Sequence, residues 1–225
     1  MKRKSKESEN IERSSSSLNE WYWILGGLAV LAIVFIVFSV VFSGMGKVNY
    51  EGLTFTKERF GNINVYHYYY YIHAADGQIY EYNLYVRNNP KENDVPIEGD
   101  KIEYPIGKII YIGINATNSS LSKCSMANVA VATLSQFLTN NLLKIKGGVS
   151  DYNESKSKNI SYVTCGAYPY NPVIMIQEGN STTITNNGDC HIISVANCDV
   201  QKAVEKFIIQ SILDAKEREK MSKVI

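Results

Sequence analysis

The residues best suited to chemistry are the four cysteines, Cys124, Cys165, Cys190 and Cys198. An even number of cysteines is typical of two disulfides in a chain that faces an oxidising compartment. No two of them form a C-x-x-C pair, so the spacing argues against a zinc ribbon. Cys190 and Cys198 flank a predicted strand and should lie about 20 Å apart, whereas a disulfide needs Cα atoms within about 7 Å. This disfavours a 190–198 bond and leaves two of the three connectivities open.

A tyrosine-rich segment, VYHYYYYIHAADGQIYEYNLYV, covers residues 65–86. Asp76-Gly77 is typical of a two-residue type I′ turn, and the flanking residues favour strands. The segment therefore predicts a β-hairpin in which His73 faces Tyr80. Two histidines six positions apart on one strand are about 20 Å apart, so His67 and His73 cannot share a metal ion.

Side chains alternate along a strand, so the predicted hairpin has two different faces. We expect the core face to carry Val65, His67, Tyr69, Tyr71, His73, Tyr80, Tyr82, Leu84 and Val86. The opposite face would carry Tyr66, Tyr68, Tyr70, Ile72, Glu81, Asn83, Tyr85 and Arg87. The tyrosines of this second face are candidates for a platform that stacks on a sugar or a peptide: Tyr66, Tyr68, Tyr70 and Tyr85. The alternative is cross-strand aromatic pairing that only stabilises the sheet.

An apolar run without any charged residue, ILGGLAVLAIVFIVFSVVF, covers residues 24–42. As a helix it would be about 28 Å long, close to the hydrocarbon thickness of roughly 30 Å. Trp21, Tyr22 and Trp23 precede it, where an aromatic belt would meet the lipid headgroups. We predict a transmembrane signal anchor over 21–44. A buried core helix and a cleaved signal peptide are the alternatives.

The basic residues near this run predict its orientation. Five of them precede it (Lys2, Arg3, Lys4, Lys6 and Arg13), and Lys47 is the only one in the first dozen positions after it. The positive-inside rule makes residues 1–20 a cytoplasmic tail and places the chain after about residue 45 outside the cell membrane.

Five N-x-[ST] sequons follow the apolar run, at Asn115, Asn118, Asn153, Asn159 and Asn180. About two would arise by chance from the composition, so the excess is modest and agrees with a glycosylated outer domain.

The overall charge limits the class of partner. The chain has 23 Lys+Arg, 22 Asp+Glu and 45% hydrophobic residues, which excludes a typical nucleic-acid binder and a wholly disordered chain. The sequence contains no nucleophile elbow, Walker loop, HExxH motif or glycine-rich dinucleotide turn. We therefore predict neither cofactor nor metal, and we expect the lipid bilayer and another envelope protein or a glycan as partners.

The chain after the anchor divides into a β-rich region over 45–107 and an α/β region over 108–225. The second region is predicted to contain strands at 108–115, 143–146 and 161–165, and a helix with apolar residues at helical spacing over 125–138. A hairpin of residues 172–178 with 181–185 should follow, then a strand at 190–196. A last helix begins near Asp199 and ends in a charged tail. The expected fold class is α+β to α/β.

The order of strand, helix, strand, proline-led hairpin and final helix resembles the thioredoxin-like fold over about 108–213. Asn171-Pro172-Val173 stands where that family has its cis-proline segment, and VIMIQEGNSTTI is similar to its central hairpin. Cys124 stands just before the first helix, the position of the family's nucleophilic thiol.

This resemblance implies a mixed sheet with two main helices and disulfides 124–198 and 165–190. It also implies a thiol–disulfide oxidoreductase in which Cys124 attacks and Cys198 or Cys165 resolves, because a helix N-terminus lowers the pKa of a thiol. The segments YNLYVRNNP and VANCDVQKAVEKF are similar to uncharacterised membrane-anchored proteins of archaea, which implies no activity. We expect a non-catalytic binding domain or envelope-complex component on a single anchor, with the oxidoreductase as the alternative.

Overall fold

The computed structural model describes residues 21–37, 46–74, 77–105, 107–115 and 120–222. The chain divides into two compact units, Met1–Lys47 and Val48–Ile225. Helix α1 (21–37) belongs to the first unit, and all of its side chains are exposed. Among the described residues, no helix is both long enough and apolar enough to cross a membrane. The predicted apolar run continues to Phe42, and residues 38–42 lie outside the described residues.

The second unit begins with a four-stranded sheet. Its strands are β1 (Lys47–Tyr50), β2 (Leu53–Phe60), β3 (Ile63–His73) and β4 (Ile79–Val86), and they lie side by side in chain order. Strands β2 and β3 pair antiparallel, with Phe60 opposite Ile63, so only two residues connect them. Gly61 has a φ of +60°, which glycine adopts without the steric cost of a Cβ atom and which this tight turn requires.

The pairing of β3 with β4 differs by one residue from the predicted hairpin. His73 lies opposite Ile79 instead of Tyr80, and His67 lies opposite Tyr85 instead of Val86. The N–H of Ala74 donates to the carbonyl of Gln78, which closes a five-residue connection in place of a two-residue turn. Residues 75–76 of this connection lie outside the described residues.

A one-residue shift moves every side chain of a strand to the other face. The predicted core face of β3 is therefore wrong at His67, Tyr69, Tyr71 and His73, although Val65 is buried as predicted. For β4 it holds at Leu84 and Val86, which are buried. Tyr66 and Tyr68 are only 8% and 7% exposed and belong to the hydrophobic core. The ring of Tyr68 lies 5.3 Å from that of Phe55, and burial of such a ring stabilises the fold by roughly 1.5–3 kcal/mol.

The rest of the second unit is built on a seven-stranded mixed sheet in the order β5-β10-β11-β9-β6-β7-β8. Its strands are β5 (Ile97–Gly99), β6 (Ile109–Asn115), β7 (Lys144–Val149), β8 (Ser161–Tyr162), β9 (Val173–Glu178), β10 (Thr183–Asn187) and β11 (Cys190–Val195). All neighbouring strands are parallel except β10 and β11. The near-continuous apolar runs of β6 and β9 follow from their central places, where both faces of a strand are covered.

The predicted hairpin of residues 172–178 with 181–185 is wrong, because β11 lies between β9 and β10. Cys190 is opposite Val173 of β9 in a parallel pair and opposite Asn187 of β10 in an antiparallel pair. In strand β11 every second residue is buried: His191, Ile193 and Val195. A central position therefore buries more apolar surface of β11 than it would of the more polar β10. The Asn171–Pro172 peptide bond is trans, unlike the cis bond that the resemblance implied.

Three helices cover the sheets: α2 (Ala127–Asn140), α3 (Tyr152–Lys158) and α4 (Val200–Ser222). Helices α2 and α4 are the two main helices that the sequence predicts. Helix α3 lies in a stretch for which no helix was predicted. It begins where the Asp151 carboxylate accepts the N–H of Glu154 at 2.7 Å, and it ends at Asn159 in a left-handed conformation.

One hydrophobic core joins the two regions that the sequence analysis separated near residue 107. It contains Phe55 and Tyr68 of the first sheet, Ile174 of the second, and Leu134 and Phe207 of the helices. The mixture of helices and sheets within one unit gives the molecule its α+β character.

A buried carboxylate joins the end of β4 to α4. Glu205 is 0% exposed, and its oxygens accept the backbone N–H groups of Arg87 and Asn88 at 2.7 and 2.9 Å. The side-chain amides of Asn88 and Gln201 also donate to it. Four hydrogen bonds compensate for the removal of this carboxylate from water and hold the exit of the first sheet on the helix.

Candidate functional site

The side of the four-stranded sheet that faces away from the core is aromatic and exposed. Tyr69 and Tyr71 of β3 are 57% and 56% exposed, Tyr85 of β4 is 44% exposed, and Phe60 at the end of β2 is 57% exposed. The ring of His67 lies among them. We call these five residues, Phe60, His67, Tyr69, Tyr71 and Tyr85, the aromatic face.

His67 is held in place from three sides. Its ring stacks on that of Tyr85 with centroids 4.5 Å apart and planes 13° from parallel. Its Nδ1 lies 2.8 Å from a carboxylate oxygen of Glu58, and its Nε2 lies 2.7 Å from the amide oxygen of Asn83. Which ring nitrogen donates depends on the tautomer, and the Asn83 amide can reverse to match it. Two hydrogen bonds and a stacking contact hold the imidazole in one orientation.

The rings of the aromatic face form a continuous row. Phe60 meets Tyr85 edge-on at 5.9 Å, and Tyr69 lies 6.3 Å from His67. Tyr71 meets Tyr69 edge-on at 6.1 Å. From the ring of Phe60 to that of Tyr71 the row is at most about 23 Å long, because its four steps between ring centroids are 5.9, 4.5, 6.3 and 6.1 Å.

Carboxylates lie beside the row and influence its polarity. Glu81 lies directly opposite Tyr71, and a hydrogen bond from the Tyr71 hydroxyl to this carboxylate is the main cause that raises the pKa of Tyr71. The Tyr71 hydroxyl, protonated at neutral pH like any tyrosine, is the donor of this bond. With Glu58 beside His67, the row combines apolar ring surface with carboxylate acceptors.

The structure separates the four tyrosines that the sequence analysis proposed as a binding face. Only Tyr85 belongs to the aromatic face, while Tyr66 and Tyr68 are in the core. Tyr70 is half-buried, its hydroxyl accepts the side-chain N–H of Asn141 at 2.7 Å, and burial raises its pKa to about 12. The sequence pattern gives no signal for Phe60, and the predicted register places His67, Tyr69 and Tyr71 on the core side. The observed register, in which His67 lies opposite Tyr85, places these three on the aromatic face.

All four cysteines form disulfides. Cys124 is bonded to Cys198 and Cys165 to Cys190, each with Cα atoms 5.4 Å apart, which is the pairing that the resemblance implied. Cys124 lies three residues before α2 and is only 7% exposed, whereas Cys198 is exposed just before α4. The first disulfide therefore joins the starts of the two main helices.

Four of the five sequon asparagines are exposed: Asn115, Asn153, Asn159 and Asn180. Asn118 lies outside the described residues. Within the described part of the chain, no group of three or more His, Cys, Asp or Glu side chains is arranged to hold a metal ion.

A third histidine, His191 of β11, is buried in the core and does not belong to the aromatic face. It is 0% exposed, and its Nδ1 lies 3.0 Å from the amide oxygen of Asn186. Its ring packs 5.7 Å from that of Phe207. Burial lowers the pKa of His191 to about 4, so this imidazole is neutral in the folded protein at neutral pH.

Comparison with known proteins found no matching family model, no matching curated protein and no matching solved structure.

Proposed function

We propose that this chain is a non-catalytic, membrane-anchored domain that binds an envelope partner outside the cell through the aromatic face. The observation that carries the proposal is the exposed row of rings around a fixed His67. Exposed aromatic side chains in a contiguous patch are typical of interaction surfaces, because the free energy falls when a partner removes their apolar surface from water. Cross-strand pairing alone would not require the rings to remain exposed.

The arrangement of the face favours an extended partner. A row of up to about 23 Å has the length of several residues of an extended peptide or of several sugar units. The rings are held before binding, which reduces the loss of side-chain entropy on association. Glu58 and Glu81 add acceptors for the N–H groups of a peptide or the hydroxyl groups of a glycan. The face therefore fits a partner with apolar surfaces and regularly spaced donors.

The location outside the cell rests on the sequence. The uncharged run over 24–42 follows a basic leader, which favours a single anchor with its N-terminus in the cytoplasm. Two disulfides are typical of an oxidising compartment, and the exposed sequon asparagines agree with it. Protease treatment of intact cells tests this placement: we expect cleavage in the domain, and a domain that is protected until the membrane is opened would contradict it.

Site-specific photo-crosslinking tests the binding function. A benzophenone amino acid is placed at Tyr69 or Tyr85 in the full chain in its own cells, and Tyr170, which is 75% exposed, is the matched control. We expect the same adduct from the first two positions and not from Tyr170. Mass analysis of the adduct distinguishes a protein from a glycan. Absence of an adduct, or equal adducts at all three positions, would contradict the proposal.

A thiol–disulfide oxidoreductase is the second candidate, because the exposed position of Cys198 gives an incoming thiolate access to one disulfide. The burial of Cys124 acts against its role as the attacking thiol. Alkylation of the intact domain under mild reductant separates the two functions. The binding function predicts that all four cysteines stay blocked until denaturation, whereas exchange requires Cys124 and Cys198 to label together.

A further inference from the structure

A cavity of about 300 Å³ lies between β3, the end of α2 and the second half of α4. This volume is at the lower end of the range for small-molecule sites. Strand β3 contributes Tyr70 of the core side, Tyr71 of the aromatic face and Ile72 to the lining of the cavity. The proposed function makes no use of it.

One part of the cavity is apolar. Phe137 of α2, Leu143 just after α2 and Ile212 of α4 supply a ring and two branched side chains. Such a wall favours a ligand with an aromatic or branched hydrocarbon group, because the apolar surfaces of both the ligand and the wall are removed from water on binding.

Another part of the cavity carries hydrogen-bond donors that lack a carboxylate partner among the described residues. Arg218 is half-buried, and one of its five N–H groups donates to the carbonyl of Ile102 at 2.8 Å. The ammonium of Lys216 lies 5.3 Å from the centre of the Tyr68 ring, a cation–π contact that leaves its N–H groups available. A guanidinium and an ammonium at one cavity favour an anion.

A third donor comes from β3. The Tyr70 hydroxyl oxygen accepts the Asn141 amide, so its own O–H can donate to a ligand. Among the described residues that line the cavity, Lys216 and Arg218 are cations and Glu219 is the one carboxylate, so these three side chains together carry one positive charge. A ligand with a single negative charge matches this balance.

We propose that this cavity binds a small organic carboxylate whose other end is an aromatic or branched hydrocarbon group. The carboxylate lies between Arg218, Lys216 and the Tyr70 hydroxyl, and the hydrocarbon end packs on Phe137 and Ile212. The site is distinct from the aromatic face, with which it has Tyr71 alone in common among the described residues.

Calorimetric titration of the full chain in lipid nanodiscs tests this site with 3-phenylpropionate as the probe. The neutral 3-phenylpropanamide has nearly the same shape and lacks the charge. We expect the acid to bind at least about tenfold more tightly than the amide. Equal affinities, or no heat from the acid at millimolar concentration, would overturn the proposal.

Three variants locate the anion. R218Q should weaken binding of the acid about tenfold and leave binding of the amide nearly unchanged. Y70F should weaken the acid severalfold, and E219Q should strengthen it, because the repelling carboxylate is removed. R59Q is the matched control, since Arg59 lies on β2 outside the cavity.

Circular dichroism shows which variants are folded. If R218Q is unfolded, the opposite effects of Y70F and E219Q decide the question. Equal effects of R218Q and R59Q, or a loss of affinity in E219Q, would contradict the proposed site. None of these outcomes depends on whether crosslinking identifies a partner of the aromatic face.

Discussion

Four consecutive tyrosines of β3 occupy two different environments. Tyr68 and Tyr70 face the core, where Tyr68 packs on Phe55 and Tyr70 bonds to Asn141. Tyr69 and Tyr71 face solvent, where more than half of each side chain is accessible. The same side chain thus stabilises the fold in one position and supplies a binding surface in the next. The alternation of a strand, set by its register, determines which role each tyrosine has.

The largest expected difference between the two faces is in stability. Y68A should lower the free energy of unfolding by about 3 kcal/mol, because it leaves a cavity in the core. Y69A should lower it by less than about 1 kcal/mol, because its ring is largely exposed. Urea unfolding followed by circular dichroism measures both. Equal losses would mean that the register of β3 and β4 is not the one described.

The next largest expected effect is on the pH dependence of stability, to which the buried His191 contributes and the exposed His73 does not. The pKa of His191 falls from 6.5 to about 4 on folding, so between these values the unfolded chain binds more protons than the folded one. Stability is therefore lost as the pH falls, by about 2 kcal/mol from His191 between about pH 7 and pH 5.

H191Q should remove this part of the pH dependence, which urea unfolding at several pH values measures. H73Q replaces an exposed histidine and retains His191, so it should keep the dependence of the wild type. A pH dependence that persists unchanged in H191Q would show that other groups cause it.

A smaller effect concerns the hydroxyl groups of neighbouring tyrosines. Y70F removes the acceptor of the Asn141 amide and should cost about 1 kcal/mol of stability. Y71F removes an exposed bond to Glu81 and should leave stability unchanged within error while it weakens crosslinking at Tyr69. Thermal unfolding compares the two variants. A greater loss of stability in Y71F would reverse the assignment of the two faces.

The elements with one clear apolar side could be predicted from the sequence. The spacing of Ala130, Leu134 and Leu138 predicts α2, and that of Val204, Phe207 and Ile208 predicts α4. The apolar runs of β6 and β9 likewise predict buried strands. In each of these elements the pattern of the residues allows one orientation towards the core.

The register of β3 could not be predicted in this way, because tyrosine occupies both faces. A shift by one residue exchanges one set of rings for another, and the local pattern does not distinguish them. Burial of Tyr66 and Tyr68 against Phe55 decides between them, and that contact involves β2. The candidate site was misplaced for this reason, with Tyr85 alone correctly included.

The position of β11 depended on competition between strands. Residues near each other in the chain, 172–178 and 181–185, suggested a hairpin. Strand β11, with Ile193 and Val195 buried, takes the place beside β9 and leaves β10 nearer the edge. Local spacing cannot show which of two later strands gains more from a central place.

Hydroxyl-radical footprinting of the tyrosines shows whether a partner covers the aromatic face in the cell, by comparing the purified chain in nanodiscs with the chain in intact cells. We predict that Tyr69, Tyr71 and Tyr85 are oxidised in the purified chain and protected in cells, where the partner covers them. Tyr170 should be oxidised in both samples and Tyr68 in neither. Equal oxidation of Tyr69, Tyr71 and Tyr85 in the two samples would contradict the proposed binding function, because the aromatic face would then be uncovered in the cell.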